Sequence, residues 1–303
     1  FFLNGANPLS DGAIHESVAD NGGNLTHLDM MWNYAGGVAH PQAHFEGHGL
    51  ALVPPKTCLW LDPDGAQLAP CAMVNGFDTN EMCQKVVEYP YTWMVLNRKI
   101  IRKELAISGA EHNPRVVNHQ LIRFLLGTLF GNNWLVDKML DESPDFIDAG
   151  DWEELAGQMN ALSGENRIDV ASLQAVADDY DGAMTNPARH ADHPQVSRII
   201  KAREWKTDKL RTCDLQPIGD KKAWPLIAIR LHFISRKSMG GLQTDLQCRV
   251  LNESGQPMPN LYAVGEAAGF GGGGTSGKRS LEGTFLSGCI LTARKAAAAI
   301  NRG

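Results

Sequence analysis

The stretch "NLYAVGEAAGFGGGGTSGKRSLEGTFLSG", Asn260 to Gly288, decides how the chain is read, because it joins an apolar strand to a helix through a run of glycines. From Gly272 it follows the phosphate-binding pattern GxxxxGK[ST] as far as Gly277 and Lys278. Arg279 then stands where that pattern needs a hydroxyl for Mg²⁺, and Ser280 comes one residue too late to replace it on a helix. A nucleotide hydrolase is therefore a poor reading. What remains is a strand, a turn that only residues without side chains make comfortably, and a helix that starts near Gly283 and carries Arg294 and Lys295 in its last turns.

Working outward, "AWPLIAIRLHF" (223–233) reads as a buried strand, and "GGLQTDLQCRVLNESGQPMP" (240–259) as hairpin strands turning at Gly255. The last helix carries Phe285, Cys289, Ala293 and Ala296 at helical spacing. The middle is mostly helical. Asp151 caps "DWEELAGQMNALSG" with Leu155, Met159 and Leu162 on one face, and Asp169 caps a second helix with Leu173, Val176 and Tyr180 on one face. "NHQLIRFLLGTLFG" (118–131) predicts another helix, and "TWMVLNRKIIRKELAISG" (92–109) is read as helical throughout. Nearer the start, Ser10 or Asp11 should cap a short helix stopped by Gly22-Gly23. Residues 36–90 read as strand and loop, with a hairpin turn at Pro63-Asp64-Gly65.

Composition narrows the function classes. The 303 residues are 43% hydrophobic and 20% charged with net charge −6, ordinary globular values, and no basic run tracks a nucleic-acid backbone. Nucleic acid is not an expected partner. No apolar stretch of about 18 residues predicts a membrane span. Six scattered cysteines without a CxxC pair read as small buried hydrophobes in a reducing compartment, so a cytoplasmic location is expected. His40, His44 and His48 look metal-like at steps of four. Pro41 and Gly47 break the helix that spacing would need, so the sequence predicts no metal site. Asp62 and Asp64 are explained by their turn rather than as paired catalytic carboxylates.

Five stretches in order, "SDGAIHESVADNGGNL", the helix pair 151–186, "RKSMGGLQTD" (236–245), "NLYAVGEAAGFGGGG" and "LEGTFLSGCI", resemble the flavoproteins grouped as fumarate reductases and 3-ketosteroid 1-dehydrogenases. The resemblance implies an α/β plus α+β fold: the C-terminal portion of a Rossmann-like FAD-binding domain with a helical and mixed cap, or substrate, domain. Residues 1–35 would be a returning segment of the FAD domain, 36–222 the cap, and 223–303 the C-terminal part of the FAD domain. The family's opening GxGxxG, which holds the FAD pyrophosphate, has no counterpart before Asn260. The chain thus reads as a piece of something longer, whose missing N-terminal part binds the rest of the cofactor.

For the site, the resemblance implies that Gly265 and Glu266 form the turn whose carboxylate meets a ribityl or ribose hydroxyl. Gly283, Thr284 and Leu286 would supply amides under the flavin ring, and Gly240 and Gly241 would line its other side. Two places depart from the family. Lys237 and Ser280 replace the His and Arg that clamp a dicarboxylate in fumarate reductases. Lys278 replaces the Tyr that polarises a ketosteroid carbonyl, while the Glu282 amide keeps its place in that carbonyl site. Tyr34 and Tyr91, in aromatic stretches of the chain, are the candidate proton acceptors. The implied activity is FAD-dependent dehydrogenation of a carbon–carbon bond next to a carbonyl, on a steroid-like or other cyclic ketone. A small-molecule substrate and an electron acceptor are its expected partners, and a homo-oligomer is compatible with it. The competing expectation is a non-catalytic scaffold or oligomerisation module, or one subunit of a split flavoprotein.

Overall fold

In a computed structural model the described residues are 2–68, 79–107, 109–269 and 284–302. Its strands are β1 (Phe2–Asn4), β2 (Leu25–Thr26), β3 (Met31–Ala39), β4 (Gly49–Val53), β5 (Leu59–Leu61), β6 (Thr92–Asn97), β7 (Ala106–Ile107), β8 (Phe146–Ala149), β9 (Leu226–Ser238), β10 (Gly241–Leu242), β11 (Arg249–Leu251) and β12 (Pro257–Tyr262). Its α-helices are α1 (Ala13–Asp20), α2 (Thr79–Val86), α3 (Arg98–Glu104), α4 (Pro114–Val117), α5 (Leu121–Phe130), α6 (Asn133–Glu142), α7 (Trp152–Ser163), α8 (Val170–Thr185), α9 (Pro194–Arg203), α10 (Lys206–Arg211) and α11 (Thr284–Ile300). The chain divides into two compact units. One comprises residues 1–4 and 34–234, the other 5–33 and 235–303, so that the chain passes from one to the other after β1, within β3 and within β9.

The first unit is organised on an eight-stranded sheet ordered β5-β6-β9-β3-β4-β7, with β1 and β8 also paired to β9. The apolar run of β9 explains this position. Its first four residues are fully buried, and Leu226 to Ala228 have strand partners on both sides, in β6 and in β8. Strand β6 contradicts the helix expected over 92–109. All six of its residues are buried, so no polar face gives the alternation that marks a strand, and a continuous apolar run has no period to read. Asn97 ends the strand and starts α3, its side chain accepting the Ile100 amide at 3.1 Å.

The helices follow their expected caps more closely. Asp151 accepts from the Glu154 amide at 2.8 Å, and Asp169 from the Ser172 amide at 2.8 Å, each satisfying an orphan donor of a first turn. Leu155, Met159, Leu173 and Tyr180 are buried, as their spacing requires, with Leu162 and Val176 partly buried against the same core. The Asp62 carboxylate accepts the Asp64 and Ala66 amides, which accounts for that turn without catalysis. In the other unit α1 starts at Gly12 without a side-chain cap, and Asp11 bonds the Ala13 amide instead.

A buried carboxylate ties this sheet together. Asp145, fully buried, accepts from Arg230 Nε of β9 at 2.9 Å and from the Ala39 amide at the end of β3 at 2.6 Å. Its peptide carbonyl accepts the Arg230 amide as well. Burial alone would raise its pKa, but His232, the Ala39 amide and the Arg230 charge outweigh it and hold the carboxyl below its ordinary value. Asp145→Ala is expected to cost about 3–5 kcal/mol at neutral pH, since it leaves Arg230 without its buried partner. A depressed carboxylate contributes stability above its unfolded pKa and loses it as pH falls through the folded one. Denaturant melts of wild type and variant should therefore converge in acid; a gap unchanged from neutral to strongly acidic pH would show that the charge is not what stabilises.

Candidate functional site

In the second unit three backbone segments meet at glycines. Strand β10 pairs antiparallel with β2, Gly241 opposite Thr26 and Leu242 opposite Leu25. A Cβ on Gly240 would run into the backbone of Thr26 and His27, and one on Gly241 would stand 2.6 Å from the Ala267 carbonyl oxygen. Gly269, at φ 68°, closes the contact from the other side, where a Cβ would lie 2.8 Å from the Met239 carbonyl oxygen. The absence of side chains at 240, 241 and 269 is thus required by the chain's own packing, before any ligand is considered.

The turn after β12 carries the expected carboxylate. Residues Gly265–Ala268 form a single 3₁₀ turn, with Gly265 at φ 61° and its amide donating to Thr292 Oγ1 of α11 at 2.9 Å. A Cβ there would meet Cys289 Sγ at 2.8 Å, so Gly265 lets the turn close against α11. His15 of α1 bonds the Ala267 carbonyl oxygen through Nε2 at 3.0 Å. Glu266 is left exposed, with Lys237 Nζ 3.8 Å from Oε1. The structure therefore brings Gly240, Gly241, Gly265, Glu266 and Lys237 into one neighbourhood of this unit.

Helix α11 forms where the spacing placed it, and of the residues at that spacing Ala296 is buried, Cys289 is half-buried and Ala293 is exposed, while the burial of Phe285 is not described. Leu286, Ile290, Leu291 and Ile300 are exposed as well. Lys278, Glu282 and Gly283 lie outside the described residues, as does the glycine run, and Thr284 opens α11.

Tyr91 belongs to the first unit. Its hydroxyl donates to Glu165 Oε2 at 2.9 Å, and its ring meets Trp93 edge-on at 5.7 Å between centroids. Burial, and next the hydrogen bond to Glu165, push its pKa up. Tyr34 packs against the buried Leu3, Ala51 and Ile234. Among the described thiols Cys58, Cys213 and Cys248 are buried and Cys83 and Cys289 half-buried; burial raises Cys83 and Cys213 to about 12 and pushes Cys58 well up, and Cys71 lies outside the described residues.

One cluster was not legible in the sequence. The His40, His44 and His48 rings gather in a turn with Gly47 at φ 75°, His40 stacked on His48 at 4.3 Å, so their spacing reflects a loop as expected. Glu111 and His112, however, arrive at His40 from the turn beyond β7, and one ligand atom from each of the three residues lies within 4.8 Å of the others. Burial lowers the pKa of both His40 and His112. No local spacing reports a meeting made by sheet order.

Comparison with known proteins places these features. A family model described as FAD binding domain matches residues 6–286. The KsdD-like steroid dehydrogenase of Mycobacterium tuberculosis is 37% identical over 298 residues, covering 97% of this chain and 52% of the relative. The KsdD-like steroid dehydrogenase of Mycolicibacterium smegmatis is 37% identical over 279 residues, covering 91% and 50%. The chain spans about half the length of the curated relatives it matches. Among solved structures, 3-ketosteroid Δ1-dehydrogenase from Sterolibacterium denitrificans matches with TM-score 0.60 at 16% identity, over 99% of this chain and 48% of that one. A flavocytochrome c3 fumarate reductase matches with TM-score 0.54 at 13% identity, over 99% and 42%. These two show a shared mixed α/β fold.

The glycine packing gives a signed prediction. Gly241→Ala is expected to lose about 1–3 kcal/mol by forcing two backbones apart. Gly157→Ala, exposed within α7 with nothing near its absent Cβ, should gain about 0.5–1 kcal/mol. Equal and small effects in chemical denaturation would remove the close-approach argument.

Proposed function

Because this chain belongs to the FAD binding domain family, we propose that it forms the flavin-ring and substrate side of an FAD-dependent dehydrogenase. The reaction oxidises or reduces a carbon–carbon bond next to a carbonyl, on a steroid-like cyclic ketone. The observation that carries this reading is 37% identity to a KsdD-like steroid dehydrogenase sustained over 97% of the chain, well beyond the glycine turn. The second unit is then the C-terminal part of the FAD domain and the first unit the substrate-binding cap.

The donor set suits one end of the cofactor. Glu266 presents an exposed carboxylate in a strand-to-helix turn, able to accept from ribityl or ribose hydroxyls, as carboxylates do in dinucleotide folds. The first amides of α11 have no intrahelical partners and form the positive end of a 17-residue helix, a place suited to the anionic edge of a reduced ring. Thr284 and Leu286 belong to that end, and Gly283, outside the described residues, is assigned to it by the family motif. Gly240 and Gly241 bring backbone rather than side chains to the opposite side. The pyrophosphate portion of the site is assigned to a complementing segment or chain, because no GxGxxG occurs before Asn260.

Flavin, when bound, supplies the two-electron chemistry. This chain's own residues supply binding and polarity. Lys278 donates to the substrate carbonyl together with the Glu282 amide, and Lys237 keeps the area cationic while pairing with Glu266. Tyr91, its pKa raised and its hydroxyl held by Glu165, stays protonated at neutral pH; its contribution is as a donor or positioning group rather than as a base.

The exposed apolar residues of α11 favour one alternative, a subunit that works only in assembly with a second flavin-binding part. Titrating the purified chain with FAD and following the visible spectrum separates the readings. A shift and quenching that weaken about tenfold or more in Glu266→Ala support direct flavin binding, the loss of one charge-assisted hydrogen bond being worth about 1.5–3 kcal/mol. A chain indifferent to FAD both alone and with a supplied GxGxxG domain would overturn the proposal. In the active assembly, Lys278→Met should lower kcat with substrate more than Lys278→Arg does.

A further inference from the structure

The histidine turn that the flavin reading leaves unused meets two residues from a distant part of the chain. His40 follows β3 directly, and Glu111 and His112 follow β7. Strands β3 and β7 both pair antiparallel with β4, so they run parallel to each other, and their C-terminal ends lie at the same edge of the sheet. Side chains leaving those ends can meet across β4, over a span of about 10 Å between backbones.

What gathers there is a ligand set. His112 is buried, and among the described residues neither of its ring nitrogens has a hydrogen-bond partner. An imidazole left so is costly, and such a group calls for an explanation. Glu111 Oε1 stands 3.4 Å from His112 Nε2. Two ligands on a tetrahedral ion with bonds of about 2.0–2.1 Å are separated by about 3.3 Å, so this pair is already at coordination spacing. His40 completes the group, with all three ligand atoms within 4.8 Å of one another. Its Nδ1 accepts the Gln42 amide at 3.0 Å, so Nδ1 holds a lone pair, which this hydrogen bond engages.

We propose that His40, Glu111 and His112 form a site for a divalent transition-metal ion, zinc by its two-imidazole, one-carboxylate ligand set, with the remaining position left to water. Such a set, borderline in softness and without thiolate, matches zinc better than calcium or magnesium, which prefer all-oxygen shells. The ion staples the ends of β3 and β7 within the first unit. Its effect is on stability, and it takes no part in the flavin chemistry proposed above.

The test is a titration of the metal-stripped, tag-free full chain with Zn²⁺ against a chromophoric chelator, with Co²⁺ as the spectroscopic probe. One tight equivalent is expected, with d–d absorption of a low-coordinate ion and no thiolate charge-transfer band. Glu111→Gln changes an exposed side chain and should fold normally; it should weaken Zn²⁺ at least tenfold, and His40→Asn and His112→Asn further. Zn²⁺ should raise the melting temperature of wild type and leave that of Glu111→Gln unchanged. Absence of saturable binding, a thiolate signature, or an affinity that Glu111→Gln and His40→Asn leave intact would each overturn the site. If His112→Asn fails to fold, the other two variants still decide.

Discussion

The first unit depends on one buried strand and the carboxylate that holds it. Strand β9 pairs with β1, β3, β6 and β8, so any polar side chain on it must find a partner inside protein. Arg230 is that case, and Asp145 is its answer, with the β3 end bonded to the same carboxylate. A charge inside a sheet is worth keeping only when its hydrogen bonds are all made. The pair thereby fixes the lateral position of β8, β9 and β3 at once, and the helices α7 and α8 then cover what those strands expose.

The second unit is held differently. Its glycines at 240, 241 and 269 let backbone lie on backbone, and Gly265 lets the following turn sit against Cys289. In the turn that follows, Glu266 is left exposed. A structural requirement thus accounts for these glycines, and glycine alone does not distinguish packing from the proposed binding surface. The uncovered apolar side chains of α11 are the complement of this picture: the unit offers a face larger than its own core uses.

Much of the fold was legible where a single local rule acts. Asp151 and Asp169 were readable as caps because capping is a contact within three residues, and the Asp62–Gly65 turn because its side-chain bonds are equally local. Strand β6 was not, since a segment buried on both faces shows no period, and its neighbours β5 and β9 come from distant parts of the chain. The exposure of much of α11 was not legible either, since an apolar stripe states a need for cover without saying whether the cover is present. The family's motifs singled out Glu266 and Gly240-Gly241, which the fold brings into one neighbourhood, whereas the meeting of His40 with Glu111 and His112 left no trace in spacing.

By itself the sequence determined the class of fold, the family, the capped helices and the turn that carries the exposed carboxylate, because each rests on contacts between near neighbours or on motifs read in order. Tertiary structure alone decided the order of strands around β9, the burial of Asp145 with Arg230, and the approach of the β7 turn to the β3 end. Those are pairings across the chain, set by which apolar surfaces can be covered together, and no window of sequence contains both partners.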